Sequence, residues 1–443
     1  MEYLRGCRVI VIDDKPEEAE PIIRTLSLRG IPVAYFKISS EDDPPKNPCP
    51  PGVRLAILDI ELGLNLPGKE ERVGYLLQML AQIIAKENGP YMVVLWTKYP
   101  GDKQTFDEQI FREDSLPNPV VSVMLEKSKY EDDLVALGAK LDEELTKVAC
   151  LRVLQFWEEA SFSAASEVTN RLCEILDSKA TNLQEWVREW NTEVSQVIRA
   201  MAHEGYGEGL TEPRSASAAL YASLNPLHGD RLENLTGDPP QPVVESWAEI
   251  LKAGDCQDEK RARINTMMHV AEESLGREWT GNIYPLPEDE KWEGYFPGRV
   301  ELVGEFLGDR QNMEAASKSC TPVLVEISPI CDHAQAKVRV FRLLGGILAP
   351  TEEYKLFKQP QRKGPEFLWK LERLHLSKGV TAPGVFDLYL SARLLYSLSK
   401  ERSRELTPTL RLRTQACTAL QAWFSAHAAR VGLFLLRPRE KTS

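Results

Sequence analysis

Five short apolar runs within the first 127 residues, four of them closed by a residue able to do chemistry, limit the fold of this chain more than any other feature. They are CRVIVI, IPVAYF, VRLAILDI, YMVVLW and PVVSVMLEK. Short runs rich in β-branched residues, without polar alternation, read as strands buried on both faces. Helix-like segments separate them. KPEEAEPIIRTLSLRG leads with acids, repeats apolar residues at helical spacing and stops at Gly30. VGYLLQMLAQIIAKENG stops at Gly89, and TFDEQIFRED is a weaker helix before the fifth run. Strand–helix alternation of this kind predicts an α/β domain over residues 1–135, a doubly wound five-stranded parallel sheet. In such sheets the crevice beyond the carboxyl ends of the strands is where ligands bind.

The strand ends carry a consistent chemistry. Asp13 and Asp14 follow the first run, Asp59 ends the third, Thr97 the fourth and Lys127 the fifth. Three carboxylates in one crevice repel one another unless a cation lies among them, and oxygen ligands are what Mg²⁺ prefers. A hydroxyl and an ammonium beside them are donors for phosphoryl oxygens. One acid at a strand end is explained as a helix cap; the ordered set is not.

The contexts VIVIDD, LAILDIEL, VVLWTK and SVMLEKS, in that order, resemble the receiver domain of two-component response regulators. The resemblance covers about 130 of the 443 residues. It implies a flavodoxin-like fold in which Asp59 accepts a phosphoryl group from a histidine kinase or phosphotransfer protein. Asp14 would bind Mg²⁺ directly and Asp13 through water, with the backbone carbonyl of Glu61 as a further ligand. Thr97 would hydrogen-bond the phosphoryl oxygen and Lys127 would pair with it. The sequence departs from the family pattern at Lys98, where a small residue is usual, at Met124, where an aromatic switch residue often lies, and at Ser128, where proline is common. The loop IELGLNLPGKEERVG after Asp59 is also long.

Residues 136–205 have helical periodicity and read as a linker or dimerisation region. Trp186 and Trp190, one turn apart, serve either core packing or a homodimer. Residues 206–443 read as an α+β domain. Gly, Pro, Ser and Asn crowd positions 205–245, which suggests a hinge or a long ordered loop. Helices are expected at VVESWAEILKAG and RARINTMMHVAEESLG. TGNIYPLPEDE, YFPGRVELVGEFLGD, TPVLVEISPI and KVRVFRLLGGILAP suggest strands and turns in a small β unit near 279–350. LTPTLRLRTQACTALQAWFSAHAARVG reads as a strand and then a helix.

In this second part Cys331 and His333 attract attention. Residues two apart on a strand share a face, so a Cys–His pair is one reading. A buried thiol beside a hydrogen-bonded imidazole is the other. Zn²⁺ needs three or four such ligands at suitable spacing; no CxxC or HxxxH pair is present, and zinc is not expected.

The net charge of −12 argues against a chain-wide footprint for nucleic acid, and no helix-turn-helix is evident. Eight scattered cysteines fit reduced, cytoplasmic usage. No signal-peptide pattern opens the sequence, and no stretch approaches the roughly 20 apolar residues of a membrane span. The expectation is a response regulator that acts by protein contact or as a phosphate sink; a kinase-linked bacterial defence system would be one setting. The alternatives are a receiver-gated effector or enzyme using Cys331 and His333, and a receiver-like adaptor that is never phosphorylated.

Overall fold

The computed structural model describes residues 8–40, 43–45, 47–63, 66–130, 133–175, 179–207, 210, 212–272, 278–309, 311, 313–358, 367–380 and 382–428. Contacts divide the chain into two compact units, Met1–Ser163 with Asn234–Ala253, and Ala164–Glu233 with Gly254–Ser443. Among the described residues no helix is long and apolar enough to cross a membrane.

The first unit runs β1 (Val9–Asp13), α1 (Pro16–Ser27), β2 (Ala34–Lys37), β3 (Leu55–Leu58), α2 (Lys69–Ile83), β4 (Met92–Thr97), α3 (Lys103–Ile110), β5 (Val121–Glu126), α4 (Leu134–Leu145) and the start of α5 (Ala149–Glu174). Its five strands are all parallel and lie in the order β2-β1-β3-β4-β5, the flavodoxin-like order. Ile12 sits opposite Phe36 and Leu58, Leu58 opposite Leu95, and Leu95 opposite Met124, so the carboxyl ends of all five strands come level.

Burial follows the strand period of two. Ile10, Ile12, Ala56, Leu58, Val93 and Leu95 face Val73, Leu76, Leu80 and Phe106 of α2 and α3. Val9, Val11, Leu55, Ile57, Val94 and Trp96 face Ala19, Ile22 and Leu26 of α1 and Leu137 and Leu141 of α4. Two apolar faces cannot both be covered except by helices on either side, which the sequence supplies between the strands. The expected first strand begins at Cys7, outside the described residues.

α6 (Leu183–Tyr206), α7 (Pro213–Thr236) and α8 (Gln241–Ile250) follow. The Gly, Pro, Ser and Asn composition of 205–245 suggests loop, yet most of it is helix. Packing outweighs propensity here. Glu212 accepts the Ser215 backbone N–H at 2.6 Å at the start of α7. Ala219 is fully buried, and a Cβ at Gly205 would lie 2.6 Å from its carbonyl oxygen, so small residues bring the two backbones into contact. The Ser223 hydroxyl donates to the Met201 carbonyl at 2.7 Å.

The second unit continues with α9 (Asp258–His269), β6 (Val270–Ala271), β7 (Asn282–Pro285), α10 (Arg299–Phe306), α11 (Met313–Ser319), β8 (Thr321–Glu326), α12 (Ile330–Ala334), β9 (Val340–Pro350), β10 (Leu368–Leu376), β11 (Gly384–Ser399), α13 (Lys400–Ser403), β12 (Leu410–Leu412) and α14 (Thr414–Ala428). Seven strands pair antiparallel in the order β10-β11-β9-β8-β7-β12-β6. The sheet curls where β11 bulges against β9 between Leu390 and Leu395. Gly346 sits at that point, and a Cβ there would lie 2.3 Å from the Tyr389 carbonyl oxygen.

The sheet extends well past the small β unit expected near 279–350, because β10 and β11 add two long strands. A second difference is α10, expected as strand: Leu302, Val303 and Phe306 fall at helical spacing and bury together. The expected run of the last helix to Gly432 lies partly outside the described residues.

Candidate functional site

The level carboxyl ends of β1, β3, β4 and β5 bring Asp13, Asp14, Asp59, Thr97 and Lys127 of the first unit to one crevice. Asp13, Asp59, Thr97 and Lys127 are all buried, and for the two carboxyls and the ammonium this is rare unless they are paired. The Lys127 Nζ lies 2.7 Å from Asp59 Oδ2 and 2.8 Å from Asp13 Oδ2. Asp13 Oδ1 also accepts the backbone N–H of Lys15 at 2.8 Å. Asp59 Oδ1 accepts the backbone N–H of Glu61 at 3.3 Å, which turns the loop back over Asp59. Gly63 continues that turn at φ +63, with no room for a Cβ above Ser39. The Thr97 hydroxyl accepts the Tyr99 N–H at 3.0 Å, and the Tyr99 hydroxyl lies 3.3 Å from Glu61 Oε1.

Asp13, Asp14 and Asp59 each offer a carboxylate oxygen, and these oxygens lie within 4.8 Å of one another. Asp14 Oδ1 is buried and has no hydrogen-bond partner. An all-oxygen donor set with one oxygen left over suits a hard divalent cation such as Mg²⁺.

The electrostatics follow from burial against one ammonium. Burial pushes the Asp59 carboxyl up; Lys127 opposes this and the neighbouring Asp13 adds to it, leaving a value of about 6. Burial likewise raises Asp13, against Lys127. Burial would lower the Lys127 ammonium, but Asp59 and Asp13 outweigh it and hold the group charged far above neutrality.

A fourth carboxylate belongs to the site, and the sequence reading missed it. Glu18 Oε2 lies 2.8 Å from Lys127 Nζ, and Glu18 Oε1 lies 2.8 Å from Lys98 Nζ. Lys15 Nζ approaches Oε1 at 3.3 Å. Burial would raise Glu18, but the hydrogen bonds from Lys127 and then Lys98 bring it down to about 2. The acids of KPEEAE read as a helix start. What would have marked Glu18 is its position in the first turn of a helix that begins at Pro16, just past Asp14 and the N-cap Lys15, which hangs its side chain back over the strand ends.

Cys331 and His333 of the second unit are not brought together as a pair. They lie on the short helix α12 rather than on a strand, and residues two apart on a helix do not face each other. His333 is instead buried, with Nε2 3.1 Å from Glu326 Oε1, and its ring is flanked by Trp279 and Phe341. Glu326 Oε1 also accepts the Ser328 N–H at 2.9 Å. The Cys331 Sγ lies 4.0 Å from Asp332 Oδ1. Among the described residues the acidic trio at the sheet crevice is the one group arranged to hold a metal.

A scan against protein-family models and a search of curated proteins give no match to this chain.

Proposed function

We propose that the first unit is a receiver domain and that Asp59 accepts a phosphoryl group from a histidine kinase or phosphotransfer protein. The observation that carries this reading is one ammonium, Lys127, on the oxygens of Asp13 and Asp59 at the level ends of parallel strands. An Asp59 oxygen attacks the phosphorus of a phosphohistidine. The P–O bond of an acyl phosphate forms as the P–N bond breaks, and the electron pair leaves with the imidazole. Mg²⁺, held by Asp14, Asp59 and the Glu61 carbonyl with Asp13 through water, would neutralise charge on the phosphoryl oxygens. Lys127 and the Thr97 hydroxyl supply the remaining donors, and the buried crevice strengthens each of these contacts. The second unit acts by protein contact; apolar Trp186, Val187 and Ile198 exposed on α6 support that role.

The test is phosphorylation by acetyl phosphate with Mg²⁺, read by intact mass. The wild-type protein gains one phosphoryl group and Asp59→Asn gains none. Equal labelling of both, or labelling of neither, removes Asp59 as the acceptor.

A further inference from the structure

An ammonium has three N–H groups and no more. In Lys127 all three are taken, by Asp13 Oδ2 at 2.8 Å, Asp59 Oδ2 at 2.7 Å and Glu18 Oε2 at 2.8 Å. Lys127 is fully buried, so no face of it is left for a fourth oxygen. A phosphoryl group arriving on Asp59 therefore meets a saturated cation. For Lys127 to donate to a phosphoryl oxygen, one carboxylate has to leave.

The three carboxylates are not held alike. Asp13 is fully buried and is tied a second time by the Lys15 backbone N–H. Asp59 is the acceptor itself. Glu18 has the longer and more exposed side chain, 15% exposed against 1% for Asp13 and 5% for Asp59. It also has other cations within reach. Its second oxygen already lies 2.8 Å from Lys98 and 3.3 Å from Lys15, and both of those lysines face solvent. Glu18 can give up Lys127 and keep a partner.

Its backbone is fixed, so the exchange is confined to the side chain. The buried Trp96 indole N–H donates to the Glu18 carbonyl oxygen at 2.9 Å. Trp96 directly precedes Thr97 and Lys98. The end of β4 and the residue after it thus hold the helix carrying Glu18, supply the hydroxyl of the crevice and supply the outer lysine.

We infer that Glu18 is an internal competitor for the phosphoryl position: its carboxylate occupies the third N–H of Lys127 in the unphosphorylated protein and is displaced onto Lys98 and Lys15 when Asp59 is phosphorylated. Glu18 is a positioning residue in this scheme, acting through Lys127. The inference rests on the phosphoryl-acceptor reading above. It also gives Lys98 a role, as the cation that receives the displaced carboxylate.

The test uses the full-length chain and beryllofluoride, a stable phosphoryl mimic, in saturating Mg²⁺. Binding is followed by tryptophan fluorescence and checked by calorimetry. The half-saturating beryllofluoride concentration is expected to fall about tenfold in Glu18→Gln, which keeps the shape of the side chain but gives Lys127 a weaker acceptor. Glu18→Ala is expected to shift in the same direction. With acetyl phosphate the variants reach half-maximal rate at a lower donor concentration, the signature of a removed competitor for the phosphoryl position. A general structural role for Glu18 would lower the maximal rate and leave the donor concentration unmoved. Unchanged or weaker beryllofluoride binding in both variants, with wild-type binding intact, overturns the competitor role and leaves the acceptor site standing. No binding and no phosphorylation in any form, wild type included, overturns both.

Discussion

The indole N–H of Trp96 donates to the backbone carbonyl of Glu18 across 2.9 Å, joining the end of β4 to the first turn of α1. Trp96 is fully buried in the apolar layer beneath α1. Phe at this position keeps most of the apolar area but deletes the donor and part of the ring. Trp96→Phe is expected to lower the unfolding free energy by about 1–3 kcal/mol, from a lost hydrogen bond and a small cavity. Urea denaturation checks this: the midpoint falls while the slope stays constant. A slope change instead would mean that the first unit no longer unfolds as the wild type does.

The crevice makes stability depend on pH in two opposed ways. Asp59 has its carboxyl raised to about 6 from an ordinary 3.8, because burial and Asp13 outweigh Lys127. The folded chain therefore holds that proton more tightly than the unfolded chain. Stability from this group is greatest below 3.8 and is lost as pH rises through about 6. Asp59→Asn removes that loss. It is expected to stabilise the metal-free protein at pH 7, on the order of 2 kcal/mol, with the gain shrinking to nothing below about pH 4. Glu18 runs the other way. Its carboxyl is held down at about 2 from 4.5, so its contribution is complete above 4.5 and is lost as pH falls towards 2. Thermal melts of the wild type and of Asp59→Asn from pH 3 to 8 in chelator decide this; a constant difference across the range contradicts it.

Lys127 balances more negative charge than it carries. Replacing it with Met fills similar volume but leaves Asp13, Asp59 and Glu18 without their shared ammonium. Breaking a buried ion pair from one side costs about 3–5 kcal/mol. Lys127→Met is expected to lose stability in that range at pH 7 and to recover part of it as pH falls, because protonating the carboxylates removes the repulsion. Added Mg²⁺ should recover part of it as well, by binding the folded state through the acidic trio. Melting temperatures with and without Mg²⁺ at two pH values check both recoveries.

The parallel sheet and its acidic ends were legible in the sequence because burial on both faces leaves an unbroken apolar run, and each run stops at the residue that faces the crevice. Asp13, Asp59, Thr97 and Lys127 could be picked out in this way. Glu18 could not, since its role depends on the phase of α1 over the strand ends and on a lysine more than a hundred residues away. The helix α7 was hidden by its composition: Pro226, Gly229 and its serines and asparagines argue for loop, and only its fit against Gly205 and Met201 makes it helical. β10 and β11 were hidden for the opposite reason. Glu372, Arg373 and Arg393 at their surfaces, and Lys370 paired inward with the buried Asp387, break the apolar runs that mark buried strands.

The second unit offers a sharp contrast between two neighbours in sequence. His333 is buried against Glu326, whose Oε2 is itself buried with no hydrogen-bond partner. His333→Ala takes the imidazole from Glu326 Oε1 and leaves a cavity between Trp279 and Phe341. Both effects destabilise, together by about 2–4 kcal/mol. Cys331 is half-buried, and its thiol lies 4.0 Å from Asp332 Oδ1. Cys331→Ala is expected to cost less than about 1 kcal/mol, within the range of partly exposed substitutions. The double variant should then lose the sum of the two, because residues that share no partner add. A coupling larger than about 0.5 kcal/mol in that cycle would mean that the thiol and the imidazole act on one another, and would restore the Cys–His pair that the helical geometry argues against.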